Sequence, residues 1–175
     1  KLNWIIDADI KGFFDNINHQ WMIKCLNERI ADPNFKELIN RFLKAGVMEE
    51  GRFEATEKGT PQGGIISPVL ANIYLHYVLD LWFERKVKAS LKGYAQIVRF
   101  ADDFVIGVQH KWEAEEILKS LAERLKQFGL ELGSDKTRLI EFGRFAKENV
   151  AKRTGKKPET FDFLGFTHYC SQTRD

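Results

Sequence analysis

Two adjacent aspartates, Asp102 and Asp103, interrupt the segment VRFADDFVIGV, which otherwise has the composition of two β-strands. Apart from Arg99, the residues on either side are apolar or small. We expect a tight hairpin with the aspartates at its tip. Two carboxylates this close repel each other, so the pair is costly unless a cation lies beside it. Hard divalent cations such as Mg²⁺ prefer oxygen ligands of this kind.

The segment LNWIIDADI supplies a second pair of carboxylates. It is a short apolar run typical of a buried strand, and Asp7 and Asp9 share one face of it because strand side chains alternate. Periodicity alone does not choose between them. This strand beside the hairpin would make a site for two metal ions about 4 Å apart. Such a site drives in-line phosphoryl transfer, with one ion activating a hydroxyl and the other stabilising the leaving oxygen.

A glycine-rich loop separates the two carboxylate segments and leads into the stretch SPVLANIYLHYVLDLWFERKV. Ser67 and Pro68 match the cap and first residue of a helix that we expect to reach about Val87. Its early part is apolar nearly all round, as in a helix buried at a domain centre. A single aspartate or glycine loop is more often a simple turn, but the combination favours a catalytic interpretation.

The 175 residues predict one domain with a sizeable core. The chain is 43% hydrophobic, which argues against disorder, and no segment approaches the ~18 apolar residues of a membrane span. It starts without Met or a signal-peptide pattern, so we expect a piece of a longer protein. Cys25 and Cys170 are expected to be free thiols in a reducing compartment.

The net charge of +2 does not by itself indicate a nucleic-acid partner, but basic residues concentrate between positions 143 and 158. In that segment Glu148 alone opposes six basic residues, namely Arg144, Lys147, Lys152, Arg153, Lys156 and Lys157. It could be a solvated surface loop or a loop that contacts phosphates. Composition alone does not choose between the two.

The remaining segments predict the elements that must position the carboxylates. Asn18 and Asp32-Pro33 begin two helices, WEAEEILKSLAERLKQFG is an amphipathic third, and VMEEGRFEATEKGT is a hairpin turning near Glu50-Gly51. TRLIEF and FDFLGFTHY are further strands. This order predicts an α+β fold with helices packed on one face of an antiparallel sheet.

Five blocks in this order resemble the successive motifs of reverse transcriptases: DADIKGFFDNINH, GTPQGGIISPVLANIYLHYVLD, RFADD, GLELGSDKTRLIEFGRF and FDFLGF. They look most like the bacterial enzymes encoded within group II introns, from the first residue to about Tyr169. GTPQGGIISPVLANIYL is long and specific, whereas FADD is short and lacks the hydroxyl of the common Tyr-Ala-Asp-Asp. The resemblance implies a ferredoxin-like polymerase palm with part of the fingers over residues 1–175, without the N-terminal fingers, thumb and maturase regions.

The resemblance also implies roles for single residues. Asp9 matches the first metal-binding aspartate, with the carbonyl of Ile10 as a further ligand, and Asp102 matches the second. Asp103 matches a required aspartate whose contact with both ions is left open. The implied cofactors are two Mg²⁺ ions, for which Mn²⁺ can substitute.

Four further residues correspond to contacts with the incoming dNTP. Phe14 matches the bulky gate that would clash with a ribose 2′-OH, whereas Phe13 is read as an ordinary core aromatic. Gln62 and Gly63 match the loop that packs on the new base pair, and Lys136 matches a lysine that neutralises or protonates the departing pyrophosphate.

Leu164 and Gly165 lie in FLGF, which resembles the strand pair that grips the primer 3′ end. The basic segment lies between this turn and Lys136, which favours phosphate contact over a merely solvated loop. His19 also fits the motif pattern, but a single histidine near a helix start is interpreted as a structural residue.

The implied function is RNA-directed DNA polymerisation, in which a primer 3′-OH attacks the α-phosphate of a dNTP on an RNA template. The parent protein would support intron mobility and splicing in the bacterial cytoplasm, with intron RNA and a DNA primer as partners and no membrane. The isolated chain is expected to be weak or inactive because the thumb is missing.

Two alternatives differ in class. One is an RNA-binding maturase module in which polymerisation is secondary, against which the three aspartates count. The other is a different palm polymerase, either an RNA-dependent RNA polymerase or a reverse transcriptase of the retron or CRISPR-associated lineage. Phe14 counts against the RNA polymerase.

Overall fold

The computed structural model describes residues 1–45, 47–49, 52–54, 58–60 and 65–171, with the backbone alone for 47–49 and 52–54. The strands are β1 (Trp4–Ala8), β2 (Val47–Glu49), β3 (Arg52–Glu54), β4 (Ala95–Phe100), β5 (Asp103–Val108), β6 (Arg138–Glu141), β7 (Phe161–Phe163) and β8 (Phe166–His168). The α-helices are α1 (Phe13–Asn16), α2 (His19–Asn27), α3 (Pro33–Lys44), α4 (Ser67–Leu75), α5 (Lys88–Ser90), α6 (Lys111–Gln127) and α7 (Ala146–Thr154).

A four-stranded antiparallel sheet of order β4-β5-β1-β6 forms the centre of the fold. β1 is an inner strand that pairs with β5 on one side and β6 on the other. The sheet strands and the helices between them follow the chain order β-α-β-β-α-β, the split arrangement of ferredoxin-like folds. The predicted α+β fold with an antiparallel sheet is confirmed.

The side chains of β1 alternate between two unequal cores. Ile6 and Ala8 point into the large core, to which α2, α4 and α6 also contribute. Ile5, on the opposite face, packs in a small cluster with Phe161 and Phe163 of β7. The helices therefore cover one face, as predicted, and the β7–β8 hairpin covers part of the other.

The central helix differs from the sequence prediction of an uninterrupted helix. α4 continues through two π-helical stretches, His76–Asp80 and Phe83–Val87, before α5 completes it. Along one side the helix is fully buried, with Tyr74, Leu75, Val78, Leu79 and Phe83 in the large core, whereas Val69 is exposed. The helix begins at Ser67, and Ile66 occupies the cap position, so the predicted Ser67 cap is wrong by one residue.

The basic segment was predicted to be a loop, and this prediction is wrong. Its middle forms α7, which ends at Gly155 in the left-handed conformation with φ 69°. Only Ala146 of α7 is buried, so the apolar periodicity that would have predicted a helix is absent. The short helix α1, which follows Gly12 at φ 52°, was also not predicted.

Several local predictions are confirmed. Asn18 caps α2 by accepting from Trp21 N at 3.0 Å, and Asp32 caps α3. β2 and β3 pair as a hairpin, although its turn residues Glu50 and Gly51 lie outside the described residues. Gly46, which the sequence predicts as the C-terminal cap of α3, also lies outside them.

Both cysteines are free, Cys25 being buried and Cys170 partly exposed. Within the described ranges, no helix combines the length and apolar character needed to cross a membrane.

Candidate active site

The end of the sheet at which β1 stops brings four carboxylates together. The register pairs Asp7 with Val105 and Ala8 with Phe104, so extending it by one residue places Asp9 opposite Asp103. Ala101 and Asp102 form the two-residue turn between β4 and β5, and Asp103 is the first residue of β5. The two carboxylate segments therefore meet, as the alternation and hairpin patterns had predicted.

The pKa of Asp103 reflects the closeness of the other carboxylates. Partial desolvation raises the pKa of its carboxyl group above the usual range, and the charges of Asp7, Asp102 and Asp9 raise it further. A hydrogen bond from the backbone N–H of Leu164 acts in the opposite direction. A neighbouring cation would relieve the repulsion that raises this pKa.

Asp7 and Asp9 have different partners, which separates two residues that periodicity left equivalent. Asp7 Oδ2 accepts from Arg138 Nη2 at 2.6 Å, and its side chain is 19% exposed. Asp9 is more open, at 45% exposure, and its Oδ2 lies 3.5 Å from Lys136 Nζ. Asp9 is therefore the carboxylate with room for an added ligand.

The donor set at this sheet end suits a hard divalent cation, because it consists of carboxylates that repel one another. Among the described residues, including this sheet end, no group of three or more Asp, Glu, His or Cys side chains has the geometry to hold a metal ion. Ile10 is buried and forms an isolated bridge with Leu132, which fixes its backbone beside Asp9. The chemistry fits a metal, but the carboxylates are not closed around one.

A turn next to Asp9 positions Lys136. Gly133 N donates to Asp9 O at 2.8 Å, and Thr137 N and Oγ1 both donate to Gly133 O. A Cβ on Gly133 would lie 3.0 Å from Asp9 Oδ2 and 3.3 Å from Asp9 O, so a larger residue there would press on Asp9. Lys136 thus reaches the carboxylate cluster from a turn bonded to Asp9 itself.

Phe14 lies at the edge of the core and packs against it, whereas Phe13 is 2% exposed and belongs to the core as predicted. Thr60 N donates to Phe14 O at 2.8 Å, and His19 Nε2 donates to Gly59 O at 2.6 Å. The structural interpretation of His19 is therefore confirmed. These bonds attach the start of the glycine-rich loop to the Phe14 segment, but Gln62 and Gly63 lie outside the described residues.

Leu164 and Gly165 form the turn between β7 and β8, with φ values of 53° and 77°. Positive φ at both central residues is the requirement of a type I′ hairpin turn. The Leu164 backbone lowers the pKa of the Asp103 carboxyl group, so this turn lies close to the carboxylate cluster.

The basic residues of α7 and its flanks are exposed, but they lie away from Asp9. Arg153 Nη2 lies 2.9 Å from Glu141 Oε2, and Glu141 pairs with Trp4 at the far end of β1. Five residues of strand separate Trp4 from Asp9, roughly 17 Å at the rise of a β-strand. Phosphates contacted here would belong to a nucleic acid that extends well beyond the reacting nucleotide.

Arg138 is a residue of the site that the sequence did not single out. It donates to Asp7 and, through Nη1, to Thr160 O at 3.3 Å, so it connects β1 to the chain entering β7. One sequence signal could have indicated this contact. Arg138 lies at the start of a predicted strand, and Asp7, an acid within a buried strand, requires a positively charged partner.

The split β-α-β-β-α-β sheet and the carboxylates at the end of its inner strand define a polymerase palm. Residues 1–168 match the family described as reverse transcriptase (RNA-dependent DNA polymerase), and the chain belongs to that family. The predicted resemblance to group II intron enzymes is confirmed by its relatives. Reverse transcriptases generally use divalent metal ions.

Two relatives show the extent of the match. The chain is 35% identical over 166 residues to the group II intron-encoded protein LtrA of Lactococcus lactis subsp. cremoris, covering 89% of this chain and 28% of LtrA. It is 29% identical over 174 residues to an uncharacterised 91 kDa protein in the cob intron of Schizosaccharomyces pombe, covering 96% of this chain and 22% of that protein. The chain thus spans less than a third of either relative.

Among solved structures, apo telomerase from Candida tropicalis superposes with a TM-score of 0.73 at 14% identity, covering 97% of this chain and 31% of that chain. At this identity the likeness shows the fold alone.

Proposed function

We propose that this chain is the palm, with part of the fingers, of a group II intron-type reverse transcriptase that extends a DNA primer with dNTPs on an RNA template. The observation that carries the proposal is the meeting of Asp9, Asp102 and Asp103 at one sheet end in a chain of this family.

Asp9 and Asp102 would hold two Mg²⁺ ions, or Mn²⁺ in their place, with the Ile10 carbonyl as a further ligand. Such ions, when bound, lower the pKa of an attacking hydroxyl and stabilise charge on the phosphates. Asp103, whose carboxyl accepts from Leu164 N–H, would support the hairpin tip and the primer turn together.

The other contacts follow from placement around this cluster. Phe14 would exclude a ribose 2′-OH, Lys136 would contact the triphosphate, and Gln62 and Gly63 would pack on the new base pair. Leu164 and Gly165 would contact the primer end. The basic residues near α7 would contact phosphates further along the primer–template.

The LtrA relative is described as group II intron-encoded, which supports a parent protein that acts in intron mobility and splicing with intron RNA as a partner. We place that parent in the bacterial cytoplasm. The 175-residue chain on its own would be weak or inactive, because a separate thumb region would be needed to hold the duplex.

Primer extension by the full-length protein tests the proposal, on a DNA-primed RNA template in Mg²⁺. Asp102→Asn should lower the rate roughly a thousandfold or more, because several kcal/mol of transition-state stabilisation is lost. RNA affinity, measured by filter binding, should be unchanged. Glu123→Gln removes an equal charge from the exposed face of α6 and should extend normally.

Near-normal extension by Asp102→Asn would overturn the assignment of the site. A wild-type protein that binds RNA tightly but extends no primer would instead establish an RNA-binding module and overturn the polymerase function.

A further inference from the structure

The Arg99 side chain connects the Asp102 hairpin to the central helix. Its Nε donates to Asp80 Oδ1 at 2.8 Å and its Nη2 donates to Asp80 Oδ2 at 2.6 Å, a two-pronged contact. Its Nη1 donates to Asn72 Oδ1 at 2.9 Å and to the backbone carbonyl of Ala101 at 2.6 Å. The side chain is only 12% exposed, and four of the five N–H donors of a guanidinium are used.

The Ala101 carbonyl belongs to the peptide bond that links Ala101 to Asp102. Ala101 has φ 54°, in the left-handed region, which costs a residue with a Cβ about 1–2 kcal/mol. A charge-assisted hydrogen bond to this carbonyl stabilises the peptide orientation that the hairpin tip requires. Rotation of this peptide would displace the backbone of Asp102.

The opposite end of the contact is firmly held. Asp80 is the last residue of the first π-helical stretch, and the preceding Val78 and Leu79 are fully buried. Asn72 lies on α4, where its own Nδ2 donates to Pro68 O at 3.0 Å. Arg99 therefore joins the tip of a two-residue turn to a helix whose neighbouring residues are fully buried.

We propose that Arg99, anchored by Asp80 and Asn72, is a positioning residue that fixes the Ala101–Asp102 peptide and thereby aims the Asp102 carboxylate. Arg99 itself touches no reacting group. The inference rests on the proposed function, since there Asp102 is the residue to be aimed.

Arg124 provides a matched control. Its guanidinium also donates to backbone carbonyls of the central helix, Val78 O at 2.9 Å and Tyr77 O at 3.2 Å. It approaches from α6, and among the described residues it forms no hydrogen bond with the hairpin. A lysine keeps the charge at either position and loses the planar fork. Arg99→Lys and Arg124→Lys therefore differ in whether the Asp102 turn is involved.

In the full-length protein, Arg99→Lys and Asp80→Asn should lower kcat for primer extension by roughly 10- to 100-fold, the size of effect that a displacement of about 1 Å produces. KM for the primer–template should stay near the wild-type value. Arg124→Lys should keep its kcat. Equal kcat losses in the Arg99 and Arg124 variants, or none in any variant, would overturn the proposal.

A second measurement does not depend on activity. The ¹³C and ¹⁵N chemical shifts of Ala101 and Asp102 report the backbone conformation of the turn in the 175-residue chain. They should move in Arg99→Lys and Asp80→Asn and stay in place in Arg124→Lys. If Arg99→Lys does not fold, Asp80→Asn and Asn72→Ala provide the same comparison through the anchor alone.

Unchanged shifts of Ala101 and Asp102 in folded Asp80→Asn and Asn72→Ala would overturn the proposal. Shifts that move as expected in a protein that extends no primer would support the positioning of Asp102 while overturning the polymerase function. The two failures are therefore distinguishable.

Discussion

Arg138 donates a 2.6 Å hydrogen bond to the carboxylate of Asp7. The Arg138 guanidinium is thus paired with Asp7, whose side chain is 19% exposed. Asp9, at the end of the strand, is 45% exposed. An acid that is already paired and enclosed is a poor candidate for a metal ligand. The contact therefore favours a structural role for Asp7 and supports the proposal that Asp9 is the metal ligand.

Substituting the two acids separately should reveal this division. Asp9→Asn should lower the rate of primer extension roughly a thousandfold, because a proposed metal ligand is lost. Its free energy of unfolding should change little, because the Asp9 side chain is 45% exposed. Asp7→Asn should retain most activity and lower the free energy of unfolding by about 1–2 kcal/mol, since a hydrogen bond between charged groups is weakened. Rates and urea unfolding curves of both variants provide the comparison, and the reverse pattern would exchange their roles.

Phe14→Ala should increase ribonucleotide incorporation, because the ring that would clash with a 2′-OH is removed. The measurement is the ratio of kcat/KM for a dNTP to that for the matching rNTP. Phe13→Ala is the control: its ring is buried, so it should lower stability by about 3–5 kcal/mol without changing the ratio in the folded fraction. An unchanged ratio in Phe14→Ala would end the gate assignment.

Gly59→Ala should disrupt the attachment of the glycine-rich loop to the Phe14 segment. Gly59 has φ 83°, and a Cβ there would lie 2.8 Å from Phe14 O and 2.9 Å from Asp15 Cα. Gly155 is the control, because its φ is 69° and no atom lies within 4 Å of its Cβ position. Gly155→Ala should cost about 1–2 kcal/mol of stability from backbone strain alone.

Gly59→Ala should cost more and should also raise KM for the dNTP, whereas Gly155→Ala should leave that KM unchanged. Equal stability losses and equal KM values in the two variants would show that the close approach of Gly59 has no consequence.

The Cys25 thiol should be unreactive and should make stability fall in alkaline solution. Burial, followed by the charge of Glu28, raises the pKa of Cys25 from its ordinary 9.0 to about 11. Between these values the unfolded chain releases a proton that the folded chain keeps, so the free energy of unfolding decreases as pH rises through that window.

Thiol titration with a colourless disulfide reagent that releases a coloured thiolate checks the first part. At pH 8 one rapid equivalent per chain should come from Cys170, which is partly exposed, and the second should need denaturant. Cys25→Ala should flatten the decrease in stability between pH 9 and 11. Rapid release of two equivalents from the folded chain would contradict the burial of Cys25.

The meeting of the two carboxylate segments could be predicted from the sequence because its determinants are local. Alternation placed Asp7 and Asp9 on one face, and the apolar flanks of Asp102 predicted a hairpin. Longer-range contacts carried no such signal. Asp7 and Arg138 are 131 positions apart and Asp80 and Arg99 are 19 apart, and no local pattern specifies which residues pair.

The errors also have physical causes. α7 was missed because only Ala146 of this helix is buried, so its sequence lacks the apolar periodicity of an amphipathic helix. Gly155 after it is nevertheless typical of a helix C-terminus. The residues in the π-helical stretches are of the same types as those in the α-helical part of the central helix. The sequence therefore gives no sign of them, and they are seen only in the backbone structure.

Alternate residues along β1 and its continuation to Asp9 face the large core and the candidate site. Its even-numbered residues Ile6 and Ala8 build the large core, and its odd-numbered residues Asp7 and then Asp9 build the site. Deleting or inserting one residue within the strand would exchange the two sets, sending carboxylates into the interior and apolar side chains to the reaction face. Point substitutions can therefore alter the site or the interior independently, whereas a change in strand length by one residue would destroy both at once.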